Sequence, residues 1–539
     1  MVEDSKAPPI QIYDTTLRDG SQSEDVLFSV QDKLRITRRL DELGVDYIEG
    51  GWPGANPKDD DFFREVASHP LLNSRLTAFG STRRAGSKVE EDKVVQGLLG
   101  SGVSVVTIFG KSWDLHVQRA LGIPLAQNLE LIYDTIRYLK RHVDKVFYDA
   151  EHFFDGYLHN PQYARQTLEA AQQAGADCLV LCDTNGGTMV EDVSRMVGAV
   201  TDLDVDLGIH CHNDCDLAVA NSLAAVRAGA VQVQGTINGI GERCGNANLI
   251  SVIPNLKLKL GRELSLDDEH LQQLTPVSRF VNEMANRPTQ KNQPFVGRSA
   301  FAHKGGIHVS AVLKESRTYE HINPATVGNR QRVLISDQSG RSNLLYKLEE
   351  FGIEGVDPKD SRLTGLLQDV KELENRGFQF DGAEASFQLR VWRALEQLPE
   401  YFSLQGFRVI DERRLREDGH RPMGAEGTVK IRVAGHVEHL VAEGAGPVDA
   451  LHIALIKALA RYYPMVEELK LADYKVRILP GTEGTDATVR VLIEWWDGSC
   501  RWGTVGVSDH IIAASYDAMV EAVTYKLFKD SVKPVPEIV

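Results

Sequence analysis

Up to about residue 260, short runs of apolar and β-branched residues alternate with longer stretches whose apolar positions return every three or four residues. The short runs fall near residues 10–14, 45–49, 76–79, 103–109, 145–150, 178–182, 205–212 and 231–237. They read as eight strands, and the stretches between them as amphipathic helices. One helix carries Val30, Leu34, Leu40 and Leu43 behind Ser29, an N-cap residue with Asp32 three positions on. A second carries Leu129, Ile132, Ile136 and Leu139, and a third follows Asp216 through Ala228. Strand–helix alternation calls for parallel pairing. Eight repeats in about 250 residues suit an α/β fold of the closed (β/α)8 TIM-barrel type better than an open sheet.

The pattern changes after Arg262. Residues 263–400 read as helices and loops with little strand character, and 410–427 are charged and then Gly/Pro-bearing, as a linker would be. Strand patterns resume at 428–433 and 436–443 before a helix over 448–462. Further strands at 474–479, 487–496 and 501–507 precede a helix over 509–528. Two groups of strands, each closed by a helix, suggest a βββα duplication in a separate α+β module. The expected division is a catalytic barrel over 8–275, helical subdomains and a linker over 276–425, and the α+β module over 426–532. A length of 539 residues agrees with several units, at about 150 residues per domain.

Composition narrows the function classes. Hydrophobic residues at 42% and aromatics at 7% are those of a globular protein, and a net charge of -16 disfavours a general nucleic-acid or anionic-membrane binder. No run of about 18 apolar residues predicts a transmembrane helix. The polar stretch from Met1 to Pro9 lacks signal-peptide character. The six cysteines sit mostly in apparent strands and loops, so a reduced, cytoplasmic setting is expected.

Candidate chemistry centres on Ile209-His210-Cys211-His212-Asn213-Asp214. Strand residues i and i+2 share a face, so His210 and His212 project together and can share one divalent cation. Packed or surface histidines are the competing reading. Arg18-Asp19-Gly20 after the first strand adds an acid and a cation, and Asn246 at the end of a Gly-rich turn adds an amide. Asp19, His210 and His212 form a two-His, one-carboxylate set with open coordination positions, to which Asn246 could add its oxygen. An α-keto acid would fill two positions, and Arg18 could neutralise the developing alkoxide. Arg18-Asp19 could otherwise be a local ion pair. Glu151 and Asp183-Thr184 fall at or beyond strand C-termini like the others, on the face where such barrels carry chemistry.

Other motifs are less specific. Cys211-x3-Cys215 could belong to a zinc cluster, but Cys211 alternates away from the histidines. The loop Asn238-Gly239-Ile240-Gly241-Glu242-Arg243-Cys244-Gly245-Asn246 lacks the position and full pattern of a nucleotide fingerprint. It reads as backbone flexible enough to bring Glu242 and Asn246 to the metal region. His308, after Gly305-Gly306-Ile307, could be a mobile base or a solvated loop residue, with Tyr319 nearby in sequence. Gly444-Ala445-Gly446-Pro447 and Gly481-Thr482-Glu483-Gly484-Thr485 read as turns.

As a set these motifs resemble the acyl-CoA-dependent Claisen condensing enzymes: the α-isopropylmalate, homocitrate and citramalate synthases. Asp14-Thr15-Thr16-Leu17-Arg18-Asp19-Gly20 looks like the family's opening motif, and His210-Cys211-His212-Asn213-Asp214 and residues 238–248 like its later signatures. Phe301-Ala302-His303-Lys304-Gly305-Gly306-Ile307-His308 resembles the segment bearing a catalytic histidine, and the last module resembles an allosteric domain for a branched-chain amino acid. The resemblance implies Asp19, His210 and His212 as ligands of Mg2+, Mn2+, Zn2+ or Co2+, with Asn246 beside them. It implies Arg18 as polariser of the keto acid, Glu151 as a positioning group for substrate and dyad, and Thr184 as the carboxylate binder. His308 is implied as the base for the acetyl methyl group, with Tyr319 in support. That segment typically reaches a partner subunit's barrel in this family, which implies a homodimer.

Ile48-Glu49-Gly50-Gly51-Trp52-Pro53-Gly54-Ala55-Asn56-Pro57-Lys58-Asp59 looks like the longer citramalate synthase branch. The sequence after His308, Val309-Ser310-Ala311, departs from the Gln-Asp-Gly usual in isopropylmalate enzymes. The implied reaction takes acetyl-CoA, pyruvate and water to (R)-citramalate and CoA, a first step toward isoleucine, with isoleucine as the expected effector. Rival readings are an α-isopropylmalate synthase acting on 2-oxoisovalerate, a metal-dependent lyase, and an amino-acid sensor with an inactive barrel. Pocket shape decides between keto acids differing by a few methyl groups.

Overall fold

The computed structural model describes residues 8–353, 355–413, 423–479 and 487–536, so the 481–485 turn lies outside the described residues. Two compact units emerge, residues 1–301 with 320–331 and residues 302–319 with 332–539.

In the first unit β1 (Gln11–Asp14), β2 (Tyr47–Gly51), β3 (Arg75–Ser81), β4 (Val105–Lys111), β5 (Lys145–Glu151), β6 (Cys178–Asp183), β7 (Asp206–Cys211) and β8 (Gln232–Gly235) form a closed barrel. All neighbours pair in parallel, and β8 returns to β1 with Gln232 opposite Gln11. The helical readings hold as well. Val30–Leu43 opens on a Ser29–Asp32 capping box and ends on Gly44 in the left-handed conformation. Leu125–Leu139 and Ala218–Ala228 cover the other two predicted helices. Their buried faces meet the outward side chains of the strands, such as Ile48, Ile108, Leu179 and Ile209.

The second unit carries the helices Gly306–Val312, Arg341–Glu350, Ser361–Asn375 and Glu384–Ala394. Beyond them lie two three-stranded antiparallel sheets. Ser403–Arg413, Met423–Val433 and His436–Gly444 form one, with helix Pro447–Ala460 packed on it. Lys470–Ile478, Val489–Trp496 and Arg501–Ser508 form the other, with helix Ile511–Lys529. The βββα unit thus occurs twice. The linker reading of 410–427 is corrected: Ile410 pairs with Glu426 and Arg413 with Met423, so its described parts are strand. Charged residues misled the reading there because one sheet face meets solvent and tolerates them. No helix among the described residues is long and apolar enough to cross a membrane.

Candidate active site

The eight strands end in one ring, and their last residues set the site. Asp19 follows β1, while His210 lies in β7 and His212 just beyond it. His210 Nε2 is 3.2 Å and His212 Nε2 3.9 Å from Asp19 Oδ2. All three side chains are buried, and they form the group among the described residues whose ligand atoms, within 4.8 Å of one another, could hold a metal ion. Neither Cys211 nor Cys215 belongs to it. Asn246 Nδ2 lies 3.1 Å from Asp19 Oδ2 and 3.2 Å from His210 Nε2. Asp19 Oδ1, His212 Nδ1 and Asn246 Oδ1 are buried without hydrogen-bond partners. The unsatisfied, buried Asp19 Oδ1 beside two imidazole nitrogens suits a cation.

The glycine-rich loop brings Asn246 in by close backbone approach. A Cβ at Gly241 would stand 1.8 Å from Asn246 Oδ1, and Gly245, at φ +90°, would place one 2.0 Å from the Gly239 carbonyl oxygen. Asn246 thus stands beside Asp19 and His210, while Glu242 is exposed and lies 3.8 Å from the Arg243 guanidinium.

Behind the cluster the barrel interior is polar. Arg18 Nε donates to Glu49 Oε1 at 2.5 Å, and its guanidinium lies 3.8 Å above the Phe79 ring. The Tyr13 hydroxyl meets Glu49, Thr77 and Thr107 at 2.7, 2.8 and 2.7 Å. His210 Nδ1 is 2.9 Å from Gln234 Oε1, and Gln234 Nε2 donates to Asp149 Oδ1 at 3.1 Å. Burial pushes Asp149 up to about 7 against the pull of His210 and Arg18. Burial would also raise Asp19, but Arg18, His210 and His212 outweigh it and hold Asp19 well below the carboxylate range. For His212, burial and the neighbouring His210 bring the imidazole down to about 4, so it is neutral and able to donate a lone pair near pH 7.

The segment from Gly50 to Asp59 is locked. Asp59 accepts from Lys33 Nζ at 2.5 Å, from the Trp52 backbone N–H at 3.0 Å and from Asn56 Nδ2 at 3.0 Å. Trp52 is thereby fixed against Phe79 and Phe109, with ring centroids 5.7 and 5.6 Å away. The Phe79 and Phe109 rings themselves stack at 5.4 Å.

Glu151 and Thr184 stand at the ends of β5 and β6, each with a partner of its own. Glu151 pairs with Lys111, and the Thr184 hydroxyl accepts from the His152 backbone N–H at 2.9 Å. His308 and Tyr319 are exposed in the second unit, where their rings lie 4.3 Å apart. Sequence reasoning did not reach Tyr13, Glu49, Asp149 and Gln234. The available signal was a polar residue inside a strand whose neighbours are all buried.

Residues 9–281 match the HMGL-like family, 295–377 the homocitrate synthase post-HMGL domain-like family, and 381–527 the LeuA allosteric (dimerisation) domain. The (R)-citramalate synthase of Geobacter sulfurreducens is 56% identical over 96% of this chain and 98% of its own. That of Aquifex aeolicus is 54% identical over 97% and 99%. The chain belongs to the HMGL-like family, among its (R)-citramalate synthases. A probable 2-isopropylmalate synthase of Methanopyrus kandleri stands further off, 33% identical over 95% of this chain and 97% of its own. The family relationship covers both units, so the sheets after residue 402 are part of the shared architecture.

Proposed function

We propose that this chain is an acyltransferase that condenses acetyl-CoA with pyruvate and hydrolyses the thioester, giving (R)-citramalate and CoA. The observation that carries this reading is its 56% identity over 96% of the chain to an (R)-citramalate synthase, against 33% to the probable 2-isopropylmalate synthase.

Asp19, His210 and His212, with Asn246 beside them, would hold a divalent cation such as Mg2+, Mn2+, Zn2+ or Co2+. Bound there, it would supply Lewis-acid polarisation of the ketone. Glu49 engages the Nε of Arg18 and Asp19 Oδ2 lies 3.5 Å from one Nη, which leaves the other Nη for the oxygen that gains negative charge. The Thr184 hydroxyl accepts from His152 and keeps its own proton to donate to the keto-acid carboxylate. Glu151, held by Lys111, positions substrate and the dyad. His308 takes the proton from the acetyl methyl group, with the Tyr319 ring steadying its imidazole. The methyl carbon then bonds to the ketone carbon of pyruvate, and water cleaves the thioester to release the CoA thiol. Trp52, Phe79 and Phe109 offer an apolar wall beside Arg18 that suits a methyl group.

The match of residues 381–527 supports regulation and dimerisation through the second unit, and the effector of this reading is isoleucine, the end product of the implied pathway. Thiol release measured across a panel of keto acids tests the reading. Pyruvate should exceed 2-oxoisovalerate in kcat/KM by at least roughly 10–200-fold, the range that a single methylene in an apolar pocket supports. Preference for 2-oxoisovalerate would reassign the chain to the isopropylmalate reaction. No thiol release with any keto acid would favour the sensor reading. Isoleucine should lower the rate with pyruvate.

A further inference from the structure

Behind His210 three buried side chains form a directed row. His210 Nδ1 faces Gln234 Oε1 at 2.9 Å, and Gln234 Nε2 faces Asp149 Oδ1 at 3.1 Å. They are 5%, 0% and 4% exposed, so water does not compete for these bonds. The placement of the Gln234 amide sets the direction. The amide places its NH2 against Asp149 Oδ1 and so turns its oxygen toward His210. An amide oxygen only accepts, so Nδ1 carries the hydrogen. The remaining ring nitrogen, Nε2, faces Asp19 and Asn246. A metal-binding imidazole needs a lone pair at the nitrogen aimed at the ion, and the hydrogen bond at the other nitrogen decides which one has it.

We propose that Gln234 and Asp149 are positioning residues that lock His210 in the Nδ1–H form and so present Nε2 to a divalent cation. The proposal rests on the metal-centre reading above. Gln234 touches the ligand, Asp149 orients Gln234, and neither is asked to touch the ion. It also accounts for a glutamine in β8 and an aspartate in β5 at wholly buried positions, where an unsatisfied polar group is costly.

Mn2+ binding to the full chain, stripped with chelator and followed by EPR without substrate, is the test. Gln234→Met keeps length but removes the acceptor, and should weaken Mn2+ binding about 10–100-fold. Gln234→Glu restores an acceptor opposite Nδ1 and should recover most of that loss. Asp149→Asn keeps shape but lets the Gln234 amide turn, and should weaken binding less than Gln234→Met does. It serves in place of the methionine variant if that protein does not fold. Unchanged affinity in Gln234→Met, or equal loss in the Met and Glu variants, would overturn the lock, the second result leaving only a packing role. Absence of Mn2+ binding in the unaltered chain would instead remove the metal reading, and the lock with it.

Discussion

The barrel strands and the C-terminal sheets bury their residues in opposite ways, and this changes which residues carry information. Every residue of β2, β6 and β8 is buried. Helices cover the outer face of such a barrel while side chains fill the interior. Met423–Val433 instead alternates: Val429, Ile431 and Val433 are buried, while Glu426, Lys430 and Arg432 are exposed. A polar residue in a barrel strand must therefore belong to a bonded network, as Tyr13, Glu49, Asp149, His210 and Gln234 do. On the outer face of a C-terminal sheet a polar residue only meets water. There the apolar ones are informative, and Val437, Val441 and Trp496 are 40–50% exposed. Exposed apolar residues on outer sheet faces suit association, which agrees with the match to a dimerisation domain.

The largest effect that would sharpen this contrast is a cut after Arg421. A detachable regulatory module would leave an active, desensitised enzyme. The structure argues otherwise, because Ser403–Arg413 would lose its partner strand and Ser386, which accepts from the Val505 backbone N–H at 3.0 Å, would lose that bond. Loss of cooperative unfolding in the shortened chain is expected by calorimetry, and a soluble, active product would show that the module is separable after all.

Next comes His210→Ala. Removing a ligand should cost several kcal/mol of transition-state stabilisation, on the order of 10³-fold in kcat. The circular dichroism spectrum should stay unchanged. Activity within about tenfold of the parent would break the claim that polar barrel residues form the working site.

Paired truncations measure the packing side of the comparison. Ile209 in β7 is fully buried, and Ile478 at the end of Lys470–Ile478 is 66% exposed. Ile209→Ala should destabilise by about 2–5 kcal/mol. Ile478→Ala should stay within about 0.5 kcal/mol for the protomer. Urea unfolding decides, and equal losses would mean that the end of Lys470–Ile478 is packed rather than open.

The smallest effect concerns the His212 proton. Its pKa of about 4 lies below the ordinary 6.5, so the unfolded chain binds that proton more readily between the two values. Its contribution to metal-free stability is full above pH 6.5 and declines as pH falls toward 4. A His212→Gln variant should lose less stability than the parent between pH 7 and 5 in urea titrations. An NMR titration midpoint near 6.5 would show that the site is wetter than its burial implies.

Much of this was legible in the sequence for local reasons. Strand runs and helical periodicity gave the eight-fold alternation because a closed parallel barrel repeats one local unit, and each unit must be apolar on the face it buries. The i, i+2 spacing placed His210 and His212 together because strand geometry alone sets it. Ser403–Arg413 escaped notice because an antiparallel strand with one wet face can be as charged as a linker. Gln234 and Asp149 escaped because they meet only when β5 and β8 close into one ring, 85 residues apart.

By itself, then, the sequence determined the repeating βα unit, the ends on which chemistry sits and the residue types able to hold a cation. Each of these follows from backbone geometry within a few residues. Tertiary structure alone decided which nitrogen of His210 faces Asp19, why Gly50 to Asp59 is rigid, and that Glu242 turns to solvent while Asn246 turns inward. Those outcomes depend on partners distant in the chain, and on burial that makes each hydrogen bond obligatory only after the barrel has closed.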